Sequence, residues 1–164
     1  MTSYPKFLLQ HTPEEVLAVH ARDQEATKRL LQIPLPDTGK LPAFTLLIAQ
    51  SDHLYDYVQV IPALAWELLE YAEEPLEIIY PQKKAHYLPW LEDTAICVRW
   101  VRQPKLQQFV RKQGPFLTLP PEPYARRIAR ADWDIQSLDI QEAEAYPRVK
   151  TILLRADDTF TFLR

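Results

Sequence analysis

Four histidines, one cysteine and one tight group of arginines are the side chains that could carry chemistry in this 164-residue sequence. His11, His20, His53 and His86 are scattered, and no second ligand stands at the short spacings that a tetrahedral zinc site needs. No metal is therefore expected. Cys97 lies between Ile96 and Val98 and reads as a buried core thiol, which leaves no disulfide framework within the chain. Arg126, Arg127 and Arg130 follow Tyr124 as the one compact basic cluster. They read either as an RNA contact or as a solvated helix face, and the net charge of −3 favours the solvated face. Arg99 sits inside an apolar strand pattern, where a guanidinium must find a partner. A buried ion pair and an anion site both satisfy that need. Lys40, in a turn beside Gly39, is either a solvated turn lysine or an anion contact.

The glycine count sharpens what is excluded. Gly39 and Gly114 are the only glycines, against 15 prolines. Loops that cradle phosphates need several glycines so that backbone N–H groups can approach the ligand, so dinucleotide and P-loop fingerprints are ruled out.

These residues have to be held by a scaffold, and the apolar pattern outlines one. β-favouring runs recur at 7–9, 44–49, 76–80, 95–101, 116–119, 151–154 and 159–163, most of them continuous, as in strands covered on both faces. Helical patterns lie between them at 24–33, at 54–58 behind a Ser51 cap, in a segment entered through Pro62, and at 104–113 with Gly114 as the stop. Arg155, Ala156, Asp157 and Asp158 support a closing hairpin turn. Thr12, Pro13, Glu14 and Glu15 have capping-box spacing and locally favour a helix running towards Leu31. The expectation is a single α/β domain over residues 1–164 with a mixed sheet. With 47% hydrophobic and 25% charged residues, no apolar run near the ~20 needed to cross a bilayer, and no signal-peptide pattern, the cytoplasm is the expected compartment. Trp66, Trp100 and Trp133 read as core candidates, and Trp90 as a candidate exposed contact.

Several blocks resemble the YrdC family, whose members form threonylcarbamoyl-adenylate from ATP, threonine and bicarbonate. Thr38-Gly39-Lys40 and the apolar strand after it resemble the family's lysine-containing turn. Pro75-Leu76-Glu77-Ile78-Ile79-Tyr80-Pro81 is similar to its "Pro-Leu-Thr-Ile-Ile-Tyr-Pro" strand. Residues 92–99 resemble its "Asp-Gly-Ser-Ile-Gly-Ile-Arg" strand, ending on Arg99, and Gly114-Pro115-Phe116-Leu117-Thr118 resembles the start of its Ser-Thr-Ser-Ala-Asn segment. The resemblance spans roughly residues 7–164. It implies a twisted mixed sheet with flanking helices and a concave face, and in place of the Thr12–Leu31 helix it implies a strand near 16–21 followed by a helix.

The family's ligand residues are replaced. Its threonine-binding loop falls on Gln10-His11-Thr12-Pro13, the first two cations of its Lys-x-Arg-x-x-x-Lys motif fall on Pro34 and Pro36, and its amide falls on Glu122. Only Lys40 survives of that cationic clamp. Proline carries no charge and no N–H, so the preorganised electrostatics that phosphate activation requires are lost. The resemblance therefore implies a non-catalytic binding or interaction protein connected to translation or tRNA modification. The alternatives are a ligand- or RNA-binding protein with a rebuilt cavity, and a residual synthase-like enzyme. His11, Lys40, Arg99 and Thr118 are the residual ligand candidates. The expected partner is a protein, or a weakly held nucleotide or RNA, with no cofactor and no membrane.

Overall fold

A computed structural model describes residues 6–12, 15–31, 44–73, 75–87, 94–119, 133–138 and 149–163. The chain opens with strands β1 (Lys6–Thr12) and β2 (Glu15–Ala21), then helix α1 (Gln24–Leu31) and β3 (Thr45–Ile48). A 3-10 turn at Ser51–His53 leads into α2 (Leu54–Tyr57), β4 (Val58–Val60) and α3 (Ala63–Tyr71). Next come β5 (Leu76–Tyr80), β6 (Gln82–Lys83), β7 (Ile96–Trp100), α4 (Pro104–Gln113) and β8 (Phe116–Leu119). Strands β9 (Trp133–Leu138), β10 (Lys150–Leu154) and β11 (Phe160–Phe162) follow.

Nine strands form one mixed sheet in the order β11-β10-β5-β7-β3-β8-β1-β2-β9, and β4 pairs separately with β6. The continuous apolar runs occupy the middle of the sheet, as their pattern requires. Leu46 and Ile48 of β3, Ile78 and Tyr80 of β5 and Val98 of β7 pack on one face, beneath Ala26 and Leu30 of α1, Leu54 of α2 and Ala65 and Leu69 of α3. Leu8, Leu47 and Phe116 pack on the other face, beneath Leu106 and Val110 of α4. Each leucine, isoleucine, valine or phenylalanine so withdrawn from water contributes about 1.5–3 kcal/mol.

The helices are anchored by specific caps. Asp23 Oδ1 accepts a hydrogen bond from Ala26 N at 2.8 Å, and Gln103 Oε1 accepts one from Leu106 N at 2.7 Å ahead of Pro104. At the far end of α4, Lys6 Nζ donates to Gln113 O at 2.6 Å, placing a cation on the negative end of the helix. Helix α3 has no side-chain cap of its own. Its Leu64 N donates instead to Asp158 Oδ1 at 2.9 Å, so the β10–β11 turn holds the start of α3. Asp158 itself has φ 67°, and Thr159 N and Oγ1 both donate to Asp157 Oδ1.

Two local expectations give way. Residues 15–21 form a strand and not the first turns of a helix, because β2 pairs along its length with β1 on one side and β9 on the other. Ser51 begins the 3-10 turn, and neither it nor α2 has a side-chain cap. Gly114 does stop α4, donating N–H to Val110 O at 2.7 Å before a cis Gly114–Pro115 bond. A Cβ at Gly114 would meet Val110 O at 2.5 Å and Val110 Cγ1 at 2.8 Å. Gly114→Ala is expected to cost about 1–3 kcal/mol, read as a lower urea midpoint at unchanged m-value.

Candidate functional site

Alternation along the central strands puts the polar residues of β5, β7, β3 and β8 on the face that carries α4. Arg99 stands in register with Glu77 on β5 and with Leu47 on β3. Two residues away, Cys97 is in register with Ile79 and Thr45. Hydrogen bonds then run across four strands. Thr45 N donates to Thr118 Oγ1 at 3.2 Å, Thr45 Oγ1 to Cys97 Sγ at 3.6 Å, and Cys97 Sγ to Glu77 Oε2 at 3.9 Å. Thr118 thus joins the row of Thr45 and Cys97, and Arg99 stands in the adjacent row with Glu77 and Leu47 on the same face of the sheet.

That row is inside the protein. Arg99 is 4% exposed and Glu77 7%, and Thr151, in register with Glu77 from β10, is fully buried with no hydrogen-bond partner for its hydroxyl among the described residues. Arg99 and Glu77 are opposite charges in register on adjacent strands, and the hydroxyl of Thr118 accepts from Thr45 N. The arrangement holds a cation and a carboxylate in register inside the sheet. It does not present a nucleophile or a general base to solvent. His11 lies near the end of β1, where the structure describes its backbone only. Lys40, Arg126, Arg127 and Arg130 lie outside the described residues, as does Trp90.

Two cavities lined by described residues lie elsewhere. The smaller, about 190 Å³, sits over a register row that runs Phe116, Lys6, His20, Asp134 across β8, β1, β2 and β9. Burial and the Lys6 ammonium lower the His20 pKa, and the Asp134 carboxylate opposes them. Lys6 is engaged there by the end of α4, and Asp134 by Arg22 Nε at 3.1 Å. The larger cavity, about 640 Å³, is a groove between α3 and the β10–β11 hairpin, lined by Leu64, Leu68, Tyr71, Ile152, Phe160 and Phe162 among others. Leu76 and Ile152 form its floor, so it opens on the face opposite Arg99. Its aromatic side chains are unusually open: Tyr71 is 77% exposed, Phe162 59% and Phe160 41%.

Sequence reasoning missed this groove. Residues 159–163 alternate between threonine and phenylalanine up to Leu163, the pattern of a strand with one apolar face, and only the sheet order reveals that β11 is an edge. Among the described residues no group of three or more His, Cys, Asp or Glu side chains could hold a metal ion, and no helix is long and apolar enough to cross a membrane. No protein-family model, curated protein or solved structure matches the chain.

Proposed function

We propose that this chain is a non-catalytic interaction protein on a YrdC-like scaffold, a twisted sheet whose former ligand face has been closed and whose contact surface is the α3–β11 groove. The observation that carries the reading is the exposure of Tyr71, Phe160 and Phe162 around a cavity of about 640 Å³. Exposed aromatic side chains gathered around a concavity mark contact sites. Supporting it, the strand arginine of the resemblance is buried opposite Glu77, and prolines 34 and 36 replace two of the three clamp cations. A role beside the enzymes of tRNA modification follows from the resemblance.

The energetics of residual nucleotide binding point the same way. Two charge-assisted hydrogen bonds, from Lys40 and Arg99, would supply ~1.5–3 kcal/mol each. Association itself costs at least ~4 kcal/mol. ATP is expected to bind no tighter than about 1 mM, near −4 kcal/mol, by titration calorimetry at low salt. Threonine- and bicarbonate-dependent pyrophosphate release is expected to fall more than ~100-fold, about 2.7 kcal/mol of barrier, below a working YrdC-family synthase assayed in parallel. A micromolar ATP constant, or turnover inside that margin, would overturn the reading.

A further inference from the structure

Among the described residues strand β11 ends the sheet, and no described strand pairs with its outer edge. Two backbone bonds bracket its ladder with β10: Arg155 N donates to Thr159 O and Leu163 N donates to Thr151 O, both at 2.8 Å. Antiparallel hydrogen-bonded pairs alternate, so Thr159, Thr161 and Leu163 bond inward to β10. The N–H and C=O groups of Phe160 and Phe162 therefore point away from the sheet. Neither residue bears a charge, and β11 contains no lysine or proline of the kind that blunts edge strands.

The sequence of this edge reads the same in both directions, Phe160-Thr161-Phe162. Two such strands brought together antiparallel about a two-fold axis at Thr161 place Phe160 opposite Phe162 of the second copy, twice, and Thr161 opposite itself. Both kinds of cross-strand pair, aromatic with aromatic and threonine with threonine, are favourable. The outward N–H and C=O groups of the two phenylalanines then meet as hydrogen-bonded pairs, four bonds in all by the alternation of an antiparallel ladder. With the axis perpendicular to the sheet, both copies keep the same face upward. Phe160 and Phe162, already edge to face at 5.5 Å within one chain, join their counterparts on one continuous floor between the two α3 helices.

We infer that the occupant of this edge is a second copy of the chain, paired β11 to β11 about Thr161. This rests on the reading of the α3–β11 groove as the contact surface and names its partner. The hairpin that presents the edge is fixed to α3 by the bond from Leu64 N to Asp158 Oδ1, so the edge is preformed. A two-fold contact of this kind is self-complementary and closes on itself, giving a dimer and no fibre.

The test uses the full chain. An interface built on one short strand belongs to the weak end of the size range, so sedimentation should follow the protein up to about 100 µM. The expected result is a concentration-dependent shift from the mass of one chain to that of two. Phe162→Lys places a charge on the edge and should weaken association at least ~10-fold. Tyr55→Lys, at an aromatic equally exposed but outside the groove, should leave it unchanged. Thr161→Cys reports the register itself. In a non-hydrogen-bonded pair the two Cα atoms stand about 4.5 Å apart, within disulfide reach, so most of the protein should cross-link on oxidation. The native Cys97 is buried and does not compete. Far-ultraviolet dichroism checks that each variant is folded, and Phe160→Lys replaces Phe162→Lys if that one is not. A chain that stays monomeric at every concentration overturns the inference, and so does a dimer whose Thr161→Cys variant fails to cross-link. Neither result bears on ATP binding, whose micromolar appearance would instead remove the underlying reading.

Discussion

Arg99→Met is expected to lower stability by about 3–5 kcal/mol, because it removes the cation standing opposite a carboxylate in a buried part of the sheet. Arg99 and Glu77 are both buried and in register on adjacent strands, so the methionine variant removes the charge that faces the carboxylate. Adding Glu77→Leu to Arg99→Met should recover much of the loss, since two apolar side chains of similar volume satisfy the same space without desolvation. Urea denaturation of both single variants and the double variant gives the coupling, expected at about 1–3 kcal/mol. An Arg99→Met variant within about 1 kcal/mol of the parent would show that the guanidinium is solvated, and the polar row would return as a ligand-site candidate.

Phe7→Ala is expected to cost a similar amount, about 3–5 kcal/mol, for a different reason. Phe7 is fully buried in β1, edge to face with Trp133 at 5.9 Å and tilted against Phe44 at 6.3 Å. Truncation removes both aromatic contacts and leaves a cavity that the paired strands β2 and β8 cannot collapse to fill. Phe7→Leu keeps most of the volume and should lose under about 1.5 kcal/mol. Denaturation followed by tryptophan emission measures both, with Trp133 as a neighbour of the change. Equal midpoints for the alanine and leucine variants would contradict the packing described.

The central strands were legible in the sequence because burial on both faces removes the need for alternation. Residues 44–49, 76–80 and 95–101 announce β3, β5 and β7 in that way. Strand β9 was not legible. At the edge of the sheet it buries only Trp133 and Leu138 fully, and Asp134, Gln136 and Ser137 dilute its signal to that of a loop. The stretch 12–31 carried two local messages. A capping box favoured a helix, while apolar residues on both faces of 16–21 suited a strand, and tertiary pairing decided for the strand.

The site divides along the same line. A buried role for Arg99 could be read from its apolar neighbours. Its opposition to Glu77 could not, since that depends on the register between two strands that no local pattern encodes. The exposure of Phe160 and Phe162 was hidden for a related reason: their alternation with threonine marks one apolar face and does not say whether another element covers it.

Strand β8 has a consequence for how the protein comes into being. In the sheet it is the link between the block β11-β10-β5-β7-β3 and the block β1-β2-β9. The first hairpin emerges early, yet Lys6 meets Gln113 across 107 residues and Arg22 meets Asp134 across 112. At ribosomal speeds of roughly 5–20 residues per second, β1 and β2 wait about 5–20 s before β8 and β9 exist to pair with them. Closing loops of that length must precede the contacts that reward it, which makes assembly slow relative to helical proteins of the same size. Throughout that interval the newborn hairpin carries two open edges, and Phe7, Leu8 and Leu9 have no finished core to enter.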